Sequence, residues 1–227
     1  MEHRKLTRQT GFTLVEIAIV LVIIGLLLGG VLKGQEMIEN AKIKSIVNDM
    51  KSVQAAYNAY IDRYKTIPGD DAALTMTNRG WAGTAGGNGD GVLLVTGAQT
   101  FANTGESPAF WRGLRASGLV AGDPLINTVA NLPRHGGGGL LGVASDPAGV
   151  YGQPGVFICA AGLTTKQAAG IDSLVDGALP ASQIGNNIGT IRGATGAANP
   201  LAPTAAVPGG VAYNETNVNP WTVCMRM

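Results

Sequence analysis

Hydrophobic positions along the chain follow two regimes that change at Lys33. From Phe12 to Leu32 the sequence FTLVEIAIVLVIIGLLLGGVL is apolar all round, and Glu16 is its one charge. A helix over this stretch, rising about 1.5 Å per residue, just spans a hydrocarbon layer of about 30 Å. Beyond Lys33 the apolar positions thin to a stripe. Ile43, Ile46, Met50, Val53, Tyr57, Tyr60 and Tyr64 recur at alternating steps of three and four, the spacing of one helix face. Lys44, Asp49, Lys51 and Asp62 lie off that face. No proline precedes Pro68, so the two regimes read as one helix from Phe12 to Tyr64, broken at Ile67-Pro68-Gly69. The stripe needs an apolar wall. A dimeric coiled coil would supply one, but the stripe is short for that; packing against the chain's own C-terminal part is the expectation.

Residues 65–227 show no repeat and no second apolar span. Glycine-rich stretches at 83–91, 136–142 and 185–199, with Pro200, Pro203 and Pro208, punctuate short apolar runs. Val92–Val95, Val156–Ala160, Ile188–Ile191 and Trp221–Met225 read as strands. Ser107-Pro108 reads as a helix start, with Ser107 as N-cap and proline in the first turn. That helix carries Phe110, Trp111 and Leu114 inward and stops near Gly118. A second begins at Thr164 or Thr165 and ends near Gly177. The expected class is α+β, a long helix against a small antiparallel sheet in a loop-rich globular head.

Composition narrows the chemistry. Aromatics are 5% and charged residues 14% of the 227, against 34 glycines, so a small, thinly packed core is expected. A net charge of +1, with no Lys/Arg cluster past the N-terminus, argues against nucleic acid as a partner. Arg4, Lys5 and Arg8 precede the apolar run and only Glu2 opposes them; by the positive-inside rule this end stays cytoplasmic and everything after Lys33 is exported. Export favours a disulfide between Cys159 and Cys224 over two free thiols. Closing so long a loop is worth about 4 kcal/mol on the chain-entropy model.

A secretory signal peptide would have a shorter apolar run and a small-residue cleavage site, whereas Lys33-Gly34-Gln35-Glu36 follows here. A plain signal anchor accounts for length and flanking charge but not for Glu16, since a carboxylate in the membrane costs about 2.5–3.5 kcal/mol even on lenient insertion scales. Gly11-Phe12-Thr13-Leu14-Val15-Glu16, between a basic leader and an apolar helix, resembles the processing site of type IV pilins and type II secretion pseudopilins.

The resemblance implies a pilin-like fold, with residues 1–11 a cleaved leader, 12–32 the membrane and filament-core helix, 33–64 its amphipathic continuation, and 65–227 an extracytoplasmic head. It implies that prepilin peptidase cuts between Gly11 and Phe12 and N-methylates Phe12, and that Glu16 serves assembly. One turn from the new terminal amine, the Glu16 carboxylate can pair with that of its own chain or of a neighbour, and the resemblance implies the neighbour's. The competing role for Glu16 is to complement the positive end of its own helix, worth about 0.3–1 kcal/mol. Implied partners are the peptidase, other pilin or pseudopilin subunits in a homo- or heteropolymer, and inner-membrane assembly machinery. The implied location is the bacterial inner membrane, then a periplasmic or cell-surface filament. A minor tip subunit acting as adhesin or DNA-uptake module is the alternative; many major pilins carry a proline in the membrane half of the helix, and this chain has none. The stretches Tyr64 to Asp71, Gly87 to Gly91 and 106–122 are similar to a subset of prepilin-like proteins with no assigned activity.

Other chemistries find weaker footing. Asp70, Asp71, Asn88 and Asp90 are donors of the kind calcium takes, yet Asn88-Gly89-Asp90-Gly91 lacks the alternating donors and closing Glu of an EF-hand and suits a turn. No cofactor is expected, with calcium at this loop as the alternative. The calcium site of the core pseudopilin lies near its C-terminus, where this chain ends Cys224-Met-Arg-Met. His135-Gly136-Gly137-Gly138 matches an esterase oxyanion loop, and Gly105-Glu106-Ser107 part of a nucleophile elbow, but there is no G-x-S-x-G and the loop follows the serine. One histidine outside the leader and two distant cysteines make neither a triad nor a zinc set. The chain is therefore expected not to be an enzyme. Asn214-Glu215-Thr216 is a formal glycosylation sequon, read as chance in a bacterial chain.

Overall fold

The computed structural model describes residues 13–81, 86–102, 104–125, 128–177, 189–207, 213 and 218–227. The chain divides into two compact units, residues 1–40 and 41–227. Among the described residues the elements are α1 (Leu14–Tyr64), α2 (Ala73–Asn78), α3 (Ser107–Ala116), β1 (Leu141–Ala144), β2 (Phe157–Leu163), α4 (Thr165–Val175), β3 (Ile191–Thr195) and β4 (Trp221–Arg226), with 3-10 turns at Gly97–Gln99 and Val129–Asn131.

In the first unit α1 is helical from Leu14, and residues 13–33 are exposed throughout. None of its most apolar window is buried, and it is long and apolar enough to cross a membrane.

In the second unit α1 continues, and the periodic stripe becomes core. Ile43, Ile46, Met50, Val53, Tyr57 and Tyr60 are buried, together with Val47 and Ala56, and Tyr64 packs at the edge. The wall is the chain's own: α4 comes so close that a Cβ on Gly170 would lie 2.6 Å from Ile43, and Phe110 of α3 stacks on Tyr57 at 6.4 Å between ring centroids. The helix ends in a left-handed residue, Lys65 at φ 58°, whose N–H donates to the Ile61 carbonyl. Gly69 follows at φ 97°, where a Cβ would crowd Leu93 at 2.7 Å and Phe110 at 3.0 Å, so the turn requires glycine.

The sheet is antiparallel throughout, in the order β1-β2-β4-β3. β2 and β4 are central and almost wholly buried, which is why they read as apolar runs rather than alternating ones. A register shift between Ala160 and Leu163, with Gly162 at φ 75°, bulges β2 just before α4. α4 starts on a capping box: Thr164 Oγ1 accepts the Gln167 N–H while the Gln167 side chain accepts the Thr164 N–H.

Several expectations are corrected. Val92–Val95 is no strand; Val95 makes only a bridge to Ser145, and the backbone donors of Val92 and Leu94 are taken by the carboxylates of Asp90 and Glu106. Glu106, not Ser107, occupies the N-cap position of α3, with Ser107 buried as the first helical residue and Pro108 behind it. The strand expected at Ile188–Ile191 instead runs from Ile191 to Thr195, and Ile188 is outside the described residues. β1 (LGVA) is a strand where the glycine run predicts loop. The core is broader than composition implies, one contiguous cluster from Ile43 to Met225. Glycines allow this by close approach rather than by loosening it.

Candidate functional site

At the start of α1, Thr13 and Glu16 form a reciprocal pair. Thr13 donates both its N–H and its hydroxyl to Glu16 Oε2, each at 2.8 Å, and Thr13 Oγ1 accepts the Glu16 N–H at 3.3 Å. This is a capping box, in which the N-cap threonine and the third helical residue satisfy each other's open donors. The T-x-x-E spacing carries that signal, and sequence reasoning centred on the charge of Glu16 passed over it. Glu16 thus complements its own helix end, while its second oxygen, Oε1, accepts no hydrogen bond among the described residues. Gly11 and Phe12, where cleavage and methylation are expected, lie outside the described residues.

Downstream of this pair the helix is uncovered. Leu14 is 90% exposed and Leu26 74%. A Cβ added at Gly25, Gly29 or Gly30 would meet nothing within 4 Å, so these glycines answer to no contact among the described residues. In a helix that packs among others, small residues permit close backbone approach.

The remaining candidate residues serve structure. Cys159 and Cys224 are disulfide-bonded across the central strands, in direct register and both buried. Asp70 is buried and accepts the N–H groups of Gly89, Asp90 and Gly91 at 2.8–3.0 Å. Asn88 and Asp90 bond to each other across the turn. Asp71 takes the hydroxyls of Tyr60 and Thr66 and an ion pair with Arg79 at 3.0 Å. Arg79 in turn lies over the rings of Tyr64 and Trp81. These calcium-type donors therefore fasten the α1–α2 turn to the loop at 87–91, and among the described residues no set of three or more metal-ligating side chains converges.

His135 is equally committed. Its Nε2 lies 2.9 Å from the Ala161 carbonyl, and its Nδ1 accepts the Gly137 N–H at 3.1 Å. Burial holds the imidazole below its usual range. The glycines after it exist for proximity: a Cβ on Gly139 would collide with the Ala161 carbonyl, and Gly136 N–H donates to Asp49 of α1 at 2.7 Å. The resemblance to an oxyanion loop comes from packing of this turn against α1 and β2. The sequon at 214–216 lies outside the described residues.

Comparison with known proteins agrees with the N-terminal segment. Residues 6–32 match the family model of the prokaryotic N-terminal methylation motif. No curated protein matches the sequence significantly. Among solved structures, the chain is similar to TcpA, a type IV pilin from Vibrio cholerae El Tor biotype, at 17% identity and a TM-score of 0.33, over 82% of this chain and 98% of that one. The methylation motif spans the end of the basic leader and the capped, uncovered apolar helix, so what the chain shares with proteins of that motif is this N-terminal segment.

Proposed function

We propose that the chain is made as a membrane-anchored precursor, cut between Gly11 and Phe12 by prepilin peptidase, methylated on Phe12, and assembled as a structural subunit of a type IV pilus or type II secretion filament. The observation that carries this reading is the apolar first half of α1, exposed along its whole length with no cover from the other described residues. In the precursor, lipid covers it. In a filament, neighbouring copies of the same segment do. The exchange of lipid for protein gains little hydrophobic energy, so close packing at Gly25, Gly29 and Gly30 matters.

Glu16 sets register in this reading. Thr13 holds one carboxylate oxygen, which fixes the side-chain direction, and Oε1 is left for the methylated amine of Phe12 in an adjacent subunit. The basic leader favours a cytoplasmic N-terminus, which puts the body outside the cytoplasm, where a disulfide persists. The partners are other pilin-type subunits, alike or different, the peptidase, and the assembly machinery of the inner membrane. No cofactor enters, and the role is structural rather than catalytic.

Mass spectrometry of filaments sheared from the cell surface tests the proposal. The protein is expected there, as dominant component for a principal subunit or as a trace component for a minor tip subunit that binds a surface or DNA. A protein confined to inner-membrane fractions, with neither surface filaments nor a secretion pseudopilus containing it, would overturn the filament role.

A further inference from the structure

The C-terminal end of α4 holds a carboxyl pair that filament assembly does not use. Asp172 is 2% exposed. One turn on, Asp176 caps the helix, with both its oxygens engaged: Oδ1 accepts the Thr190 hydroxyl, and Oδ2 accepts the Ile191 N–H at 2.8 Å. Asp172 lies four residues before Asp176, one helical turn away, and its Oδ2 is buried with no partner among the described residues. A buried carboxyl one turn from a second carboxyl resists ionisation, because burial and the neighbouring like charge both favour its neutral form. The helix C-terminus adds its own negative potential and raises the cost of a second charge.

The surroundings offer little compensation. Tyr213 faces the pair as a neutral phenol, because burial pushes it well up, while the Tyr151 hydroxyl donates to the Thr222 carbonyl. Arg192 of β3 commits its guanidinium to the carbonyls of Tyr151 at 2.8 Å and Gly189 at 3.3 Å. β2 carries no charged residue, and Arg226 of β4 lies beside Gly155.

We propose that the pair of Asp172 and Asp176 carries one proton, on Asp172, and that this proton latches the end of α4 to the start of β3, so that the junction loosens as pH rises. Burial, and then the Asp176 charge, raise Asp172 to about 7. An opened junction returns Asp172 to the ordinary carboxylate range of about 3.9. The closed form therefore binds a proton that the open form releases. The latch is complete below about pH 4 and is lost progressively as pH rises through 7.

Hydrogen exchange of the whole chain in detergent, followed by mass spectrometry and corrected for intrinsic exchange, reads this directly. Between pH 6 and pH 8 the opening equilibrium of peptides from 165–177 and 189–195 should rise roughly tenfold, the value set by that shift. Asp172→Asn, which keeps the neutral hydrogen-bonding shape, should abolish the rise. Asp176→Asn, which keeps Asp172 but removes its charged neighbour, should move the rise to lower pH. Equal opening at the two pH values in the wild type, or an undiminished rise in Asp172→Asn, would overturn the latch. So would protection at pH 8 that appears with millimolar calcium and disappears with a chelator, since the pair would then hold a metal ion.

Discussion

Glu16→Val should leave the precursor inserted and cut, yet reduce sheared filaments at least about tenfold, the loss that follows from about 1.4 kcal/mol per subunit contact. The variant removes the one group that makes the apolar helix costly in lipid, by about 2.5–3.5 kcal/mol, so the membrane-held subunit is not harmed. What it loses is the charge that defines axial register against a neighbour. Because the carboxylate also closes the capping box with Thr13, valine alone does not separate the two roles. Glu16→Gln does. Glutamine at the third helical position still completes a capping box, but it cannot pair with an ammonium as an ion. Immunoblots of sheared filaments, normalised to processed protein in the membrane, should show the glutamine variant failing nearly as badly as the valine variant. Filaments at wild-type yield from the glutamine variant would mean that the cap suffices and that the intermolecular pairing is wrong.

The second large effect concerns stability. Cys159→Ala combined with Cys224→Ala should cost the body about 4 kcal/mol, since the crosslink restrains a long loop in the unfolded chain. That is a large share of the roughly 5–15 kcal/mol a domain has in total. For a chain of this size the melting temperature should fall by roughly 8–16 °C. The bond joins the two central strands at paired positions, so its loss also weakens the middle of the sheet. Circular dichroism of the purified chain, with the wild type under oxidising and reducing conditions beside the variant, measures this. A shift of only a degree or two would show that the packed core holds β2 and β4 together unaided.

Much of this fold is legible in the sequence where periodicity is strong. The stripe from Ile43 to Tyr64 becomes core almost residue for residue, because helical spacing leaves only one face to bury. α4 is marked at both ends, by Thr164 with Gln167 and by Gly177 at φ 95°. β1 escapes such a reading because four residues within a glycine-rich run carry no period, and their pairing with β2 is decided by residues well downstream. Asp70 resembles a metal ligand because an isolated carboxylate beside Asn-Gly-Asp has the right chemistry; only the fold reveals that three backbone N–H groups reach it first. His135 misleads in the same way. At the N-terminal site the charge of Glu16 is readable, and so is its threonine partner, three residues back, once the capping pattern is sought. The Asp172–Asp176 pair cannot be weighed from spacing alone, because its properties come from burial.

The mature N-terminus is the most direct test of the whole account. Mass spectrometry of the terminal peptide from membrane-extracted protein should find a chain beginning at Phe12, carrying one methyl group on its α-amine, with residues 1–11 absent. A mature chain that still begins at Met1, or one cut beyond the apolar helix, would contradict it.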